Sequence, residues 1–243
     1  MSEFSNSKID PASAKFLYRS LPGSRQSLLI AEMLLQEQQV SRLYQIAKRT
    51  LDICGALVGL VILLLVLCVV APLILIEDRG SIIYKQVRVG HCGKPFLIYK
   101  LRSMMMGADG YLAQRPELLN AWRRTGKLQI NEDPRITRVG RFLRRSSLDE
   151  LPQMWNVLRG EMSLVGPRAI QFSEVAAFGE LAVLRQMVKP GLTGLWQVCG
   201  RSLTDYEQRA LLDCIYVLKC SFWVDLYILF KTLPVVLYGT GAC

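Results

Sequence analysis

The chain of 243 residues is 51% hydrophobic and carries 30 Lys+Arg against 20 Asp+Glu, a formal net charge of +10. Its mean hydropathy of +0.25 is high for a soluble protein and points to a membrane contribution, while the length allows one ordinary domain with an appendage. Seven cysteines with no C-x-x-C spacing exclude a disulfide scaffold and read as reduced, cytosolic usage.

Residues 1–27, with Pro11, Pro22 and Gly23, read as a flexible tail, and no early apolar core with a cleavage pattern predicts a signal peptide. Residues 28–47 place Leu28, Leu35, Leu43 and Ile46 at helical spacing, an amphipathic helix lying either on the membrane or on the protein itself. Ile53–Ile76 is 24 residues without a charge; as a straight helix it covers about 36 Å, enough to cross an apolar layer of about 30 Å. A spanning anchor is one reading. The other is a re-entrant helix, because Pro72 lies inside the run and removes a backbone hydrogen bond. Charge also flanks both ends, with Arg42, Lys48 and Arg49 before the run and 23 Lys+Arg against 15 Asp+Glu after it. The positive-inside rule wants both flanks in the cytoplasm. Asp52 stands four and three residues after Lys48 and Arg49, a spacing that predicts local ion pairs.

Beyond the run, Ser81–Tyr84 and Phe96–Lys100 read as strands around a Gly90–Pro95 turn, a hairpin presenting Lys85, Arg88, Lys100 and Arg102. Within that turn, His91 beside Cys92 is too little for a metal site. Residues 110–125 predict a helix, 131–135 a polar loop, and 137–145 a basic amphipathic stretch. Helices are predicted over 148–158, ended by Arg159-Gly160, and over 170–188, ended by Lys189-Pro190-Gly191. Another is expected over 203–220. Ser221–Tyr238 carries Trp223, Tyr227 and Phe230 but also Asp225, Lys231 and Pro234, which suits an interfacial helix broken at the proline. The fold expected is mainly α with a small β-hairpin (α+β). It divides into a tail, a membrane unit over 28–79 and a cytosolic catalytic domain with interfacial helices over 80–243.

The chemistry centres on Asp149-Glu150. Ser147-x-x-Glu150 matches a capping box that merely starts a helix, although Pro152 favours a start nearer Leu148 or Asp149. In either register the carboxylates fall in a first turn, just after Arg141, Arg144 and Arg145, where anions are favoured. An ionised carboxylate near arginines and a divalent ion can attack phosphorus. Val165-Gly166-Pro167-Arg168 is a tight turn that delivers an arginine, either to solvent or to two phosphate oxygens. The basic balance suits an anionic leaflet and anionic substrates; no recognition motif supports nucleic acid.

These segments together resemble the bacterial sugar transferase family, the monotopic phosphoglycosyl transferases, over roughly residues 45–243. The resemblance is carried by Lys48–Asp52, Tyr84–Gly90, Pro95–Met104, Ser147–Leu158 and Met162–Arg168. It implies transfer of a sugar 1-phosphate from a nucleotide sugar to a polyprenyl phosphate. It also implies a re-entrant helix broken at Pro72, Asp149 as nucleophile, Glu150 as partner carboxylate, and Mg²⁺ at the pair. Phosphate or nucleotide contacts are implied from Lys100, Arg144 and Arg168, with Arg88, Arg102 and Arg145 completing the basic set. The family usually has a second proline where Ala169 stands, which affects the loop shape rather than the chemistry. Pro190–Ser202 and the tail through Asp213, Tyr216, Ser221 and Asp225 resemble exopolysaccharide- and O-antigen-initiating members. Such members imply UDP-glucose or UDP-galactose as donor, undecaprenyl phosphate as acceptor, membrane lipids as surroundings and the cytoplasmic face of a bacterial inner membrane as location. Homodimerisation is left open, and the rival class is a non-catalytic membrane-anchored scaffold.

Overall fold

The computed structural model describes residues 41–125, 128, 130–179, 181–199 and 206–237. The expected tail over 1–27 and most of the helix expected over 28–47 lie outside them. The described end of that helix is continuous with the apolar run in one helix, α1, Arg42–Glu77, opened by Ser41, whose hydroxyl accepts from the Tyr44 amide. It is 36 residues long and is long and apolar enough to cross a membrane. The helix continues through Pro72 to Glu77, so the break expected at Pro72 is not present.

One stripe of α1, including Asp52, Ala56, Gly59, Leu63, Val70 and Ile74, is buried against the rest of the protein. The opposite side leaves Val58, Val61, Leu65 and Val69 at least 60% exposed. Burial at a spacing of three and four residues is that of a helix lying along a surface. Both ends of α1 are tied to the same body. At the start, Lys48 Nζ donates to Asp225 Oδ2 at 2.8 Å, and Arg49 donates to the carbonyls of Val157 and Leu158 at 2.7 Å each. At the finish, the Glu77 carboxylate accepts from the backbone amides of Arg138 at 2.6 Å and Val139 at 3.0 Å.

The expected local pairing of Asp52 with Lys48 or Arg49 does not form. Asp52 is 4% exposed and one of its oxygens accepts from Ser163 Oγ at 2.9 Å and the Leu164 amide at 2.8 Å. Its place on the packed stripe turns it inward, whereas Lys48 is drawn to a distant carboxylate.

The hairpin forms as expected, with β1, Ile83–Val89, antiparallel to β2, Pro95–Leu101. The helix expected over 110–125 is split into α2, Ala108–Ala113, and α3, Pro116–Thr125, because a proline starts a helix far better than it continues one. Next come α4, Arg138–Arg145, a 3₁₀ turn at Leu148–Glu150 and α5, Gln153–Arg159, closed by left-handed Gly160.

The sequence did not announce a second, parallel strand pair. β3, Ser163–Val165, lies beside β4, Gly191–Thr193. These strands are three residues each, too short to show a period of two, and the two backbones approach so closely that a Cβ on Gly166 would meet the Lys189 carbonyl at 2.5 Å.

The helix expected over 170–188 is also corrected. It is a 3₁₀ stretch, Phe172–Phe178, then α6, Leu181–Arg185, with Gly179 at φ 53° breaking the run. Three further helices follow: α7, Leu195–Cys199, α8, Tyr206–Lys219, and α9, Phe222–Leu237. The last runs through Pro234 rather than ending there. Trp223 and Phe230 on α9 are 75% and 64% exposed. The principal core joins Ala56 of α1, Ile98 of β2, Val157 of α5, Leu164 and Val165 of β3, Tyr216 of α8 and Ile228 of α9.

Candidate active site

A second apolar cluster seats the site. Leu63, Val70 and Ile74 of α1 share this cluster with Leu101, Leu143, Leu148 and Leu151, so the 3₁₀ turn bearing Asp149 and Glu150 is seated on β2 and α4, in the same apolar cluster as the long helix. Ser147, just before it, has left-handed backbone at φ 57° and ψ 15°. For a non-glycine residue that costs roughly 1–3 kcal/mol and persists only where the surroundings hold it. The expected capping box is absent. Ser147 makes no side-chain cap, and the Glu150 carboxylate turns instead to two cations. Charge-assisted bonds of that kind outcompete a neutral cap.

The two carboxylates are treated differently. Lys100 Nζ, from β2, donates to Glu150 Oε1 at 2.7 Å, and Arg168 Nη1 reaches the same oxygen at 3.5 Å. Burial opposes the Glu150 charge, but Lys100 and Arg168 prevail and hold its carboxyl well below the ordinary range. Asp149 is 8% exposed, and among the described residues its side chain takes part in no hydrogen bond or ion pair. Burial pushes its carboxyl above the ordinary range; Lys100 pulls it down, the Glu150 charge pushes it up again, and Arg144 and Arg168 pull it down. One carboxylate is thus engaged, and the other is held among cations with its oxygens unengaged.

Each cation has its own support. Arg144 Nε donates to Ser103 Oγ at 2.9 Å, and Gly140 lets α4 come close enough for this, since a Cβ there would strike the Ser103 backbone. Burial lowers the Arg144 guanidinium from its usual value while Asp149 and Asp133 oppose the shift. Lys100 is aligned by Asn156, whose Oδ1 accepts from the Tyr99 amide at 3.3 Å and whose Nδ2 donates to the Leu97 carbonyl at 2.7 Å.

The structure therefore gathers Lys100, Arg144 and Arg168 around Asp149 and Glu150. Arg88 stands beside Arg168, donating to Glu174 Oε2 at 3.2 Å and Gln86 Oε1 at 2.7 Å. Burial lowers its guanidinium to about 10, and the nearby Arg168 charge adds to the shift. The other two expected contacts turn elsewhere. Arg102 donates to the Asp78 carbonyl at the end of α1, and Arg145 donates to Asn131 Oδ1 at 2.6 Å.

Sequence reading missed the buried Asp133–Arg135 pair, joined at 2.8 and 2.7 Å, and took it for a plain loop. Arg185, which donates to the Arg168 carbonyl at 3.1 Å, carried no signal, because its partners are distant in the chain.

Among the described residues no group of three or more His, Cys, Asp or Glu could hold a metal ion by itself. Two adjacent carboxylates do fit Mg²⁺, which is held by one or two carboxylates together with substrate phosphates rather than by an all-protein cage.

The model of the family described as bacterial sugar transferase matches residues 43–239, a span that includes the whole constellation. The chain belongs to the bacterial sugar transferase family. It is 42% identical over 200 residues to the exopolysaccharide production protein ExoY of Rhizobium meliloti, covering 81% of this chain and 88% of that one. It is 43% identical over 218 residues to the undecaprenyl-phosphate galactose phosphotransferase of Salmonella typhimurium, covering 86% and 44%. It is 38% identical over 207 residues to the UDP-glucose:undecaprenyl-phosphate glucose-1-phosphate transferase of Escherichia coli, covering 82% and 42%. The chain thus spans less than half the length of several of the curated relatives it matches. In this sugar transferase family member, the matched span takes in nearly all of α1 as well as the carboxylate pair.

Proposed function

We propose that this chain transfers hexose 1-phosphate from UDP-glucose or UDP-galactose to undecaprenyl phosphate, releasing UMP, and so initiates exopolysaccharide or O-antigen synthesis. The observation that carries the reading is the division between the two carboxylates: Glu150 is engaged by Lys100 and Arg168, and Asp149 beside it makes no hydrogen bond or ion pair among the described residues.

An Asp149 oxygen attacks the sugar-bearing phosphorus of the donor. A new O–P bond forms, the bond to the UMP phosphate oxygen breaks, and UMP leaves with the electron pair. An oxygen of the acceptor phosphate then attacks the same phosphorus, displacing Asp149 and forming the polyprenyl diphosphosugar. Lys100, Arg144 and Arg168 offset the charge that builds in both steps, the larger share of catalysis in phosphoryl transfer. Mg²⁺ held by Asp149 and Glu150 would supply further neutralisation of the phosphates. The expected result is metal-dependent UMP release from UDP-hexose with undecaprenyl phosphate present. UDP as the released nucleotide would indicate a glycosyl transferase and overturn the reading.

The acceptor is a lipid, so both phosphates must meet at the membrane surface. Three observations support a re-entrant α1 that dips into the cytoplasmic leaflet and bends at Pro72. Its two ends are tied to one polar body, its buried stripe follows that body, and Pro72 leaves the Cys68 carbonyl without its usual donor. Single cysteines placed at positions 45 and 80 of a cysteine-free variant should react with an impermeant thiol reagent from the same side. Labelling from opposite sides would restore a spanning anchor.

A further inference from the structure

The loop that carries Arg168 is held carbonyl by carbonyl. Lys48 Nζ and Tyr216 Oη donate to the Val165 carbonyl at 3.0 and 3.1 Å. The Gly191 amide donates to Pro167 at 2.8 Å, and the Val89 amide to Ile170 at 2.9 Å. Arg88 Nη1 donates to Ala169 at 3.4 Å, and Arg185 Nη2 donates to Arg168 itself at 3.1 Å. The backbone is fixed from five elements while the Arg168 side chain stays 40% exposed.

Arg185 and its partner are the deepest charges in this set. Arg185 is 4% and Asp213 0% exposed. Arg185 Nε and Nη2 both reach Asp213 Oδ2, at 2.7 and 2.6 Å, and the guanidinium lies 4.0 Å from the centre of the Phe178 ring. Among the described residues, Asp213 Oδ1 is buried without a partner. A charge pair buried this deeply could be replaced by apolar side chains with no loss of stability, since desolvating two charges costs about as much as their attraction returns. What an apolar pair could not do is donate to the Arg168 carbonyl.

We propose that the buried Arg185–Asp213 pair is a positioning device for the reaction: Asp213 orients the Arg185 guanidinium, and Arg185 fixes Arg168 against Glu150 at the transferred phosphate. The proposal rests on the phosphoglycosyl-transfer reading. In Arg185→Lys the buried charge pair survives, but one ammonium cannot reproduce the planar fork that spans Asp213 and the carbonyl.

A small displacement of a catalytic cation costs turnover rather than ground-state binding, so kcat for UMP release should fall about 10- to 100-fold, with KM for the UDP-hexose within about threefold and Tm nearly unchanged. Because the effect runs through Arg168, the Arg168→Lys/Arg185→Lys double variant should be no slower than Arg168→Lys alone. Losses that multiply in the double variant, or full activity in Arg185→Lys, overturn the proposal. If Arg185→Lys does not fold, Asp213→Asn enters the same cycle; loss of folding in both marks the pair as structural and overturns it as well. Amide exchange over residues 165–170 separates this idea from the reaction on which it rests. If the wild-type protein releases no UMP, that reading has failed. Faster exchange in Arg185→Lys would still support the clamp, and unchanged exchange would refute it.

Discussion

An Asp149→Asn variant is expected to release UMP at a rate reduced by about 10⁴-fold or more, the scale of loss when a covalent nucleophile is removed. Quenching the wild-type protein during turnover should trap a phosphosugar on the peptide containing Asp149, and the variant should trap none. The change is close to isosteric and leaves the Lys100–Glu150 bond in place, so the fold should survive it. Asparagine keeps an oxygen at the same place but is a poor nucleophile toward phosphorus. Burial already holds the Asp149 carboxyl above its ordinary range, and cations at the site are what restore its ionised form. Lys100→Met should therefore impair Asp149 as well as freeing Glu150. Normal turnover in Asp149→Asn, or full-speed product formation with no modified carboxyl, would end the nucleophile assignment.

The second large effect concerns stability. Lys48→Met is expected to destabilise the protein by about 3–5 kcal/mol, because it strands the charge of a buried carboxylate. Asp225 is 1% exposed. Lys48 donates to its Oδ2 at 2.8 Å, Tyr44 to the same oxygen at 2.9 Å, and Tyr216 to its Oδ1 at 2.7 Å. Without the ammonium, two phenols alone must satisfy a buried negative charge. For a protein of this size the loss lowers Tm by roughly 6–20 °C, to be read by thermal unfolding in lipid nanodiscs. Lys48→Met with Asp225→Leu should recover most of it, since the pair together is nearly neutral. An unchanged Tm in the single variant would show that the pair does not tie α1 to α9.

Local chemistry was legible in the chain. The 24-residue uncharged run, the hairpin around Gly90–Pro95, the basic helix over 138–145 and the Asp149-Glu150 pair each follow from spacing or composition within a few residues. Errors arose where short-range signals met long-range partners. Ser147-x-x-Glu150 has the pattern of a capping box, yet Lys100, fifty residues earlier, claims the glutamate. Asp52 has the spacing of an i,i+4 pair, yet Ser163 and Leu164 claim it. Pro234 has the look of a helix end, yet α9 continues through it. The three-residue strands β3 and β4 carry no periodicity to read.

The sequence by itself determined that an acidic pair follows a run of arginines and that an apolar helix precedes them, because charge and hydropathy are properties of the residues alone. Which carboxylate stays unengaged, which arginines face it and which turn away to Asp78 and Asn131 were decided only by the tertiary structure. Those outcomes depend on burial and on donors from distant segments converging within about 3 Å, the distance over which a hydrogen bond discriminates between partners.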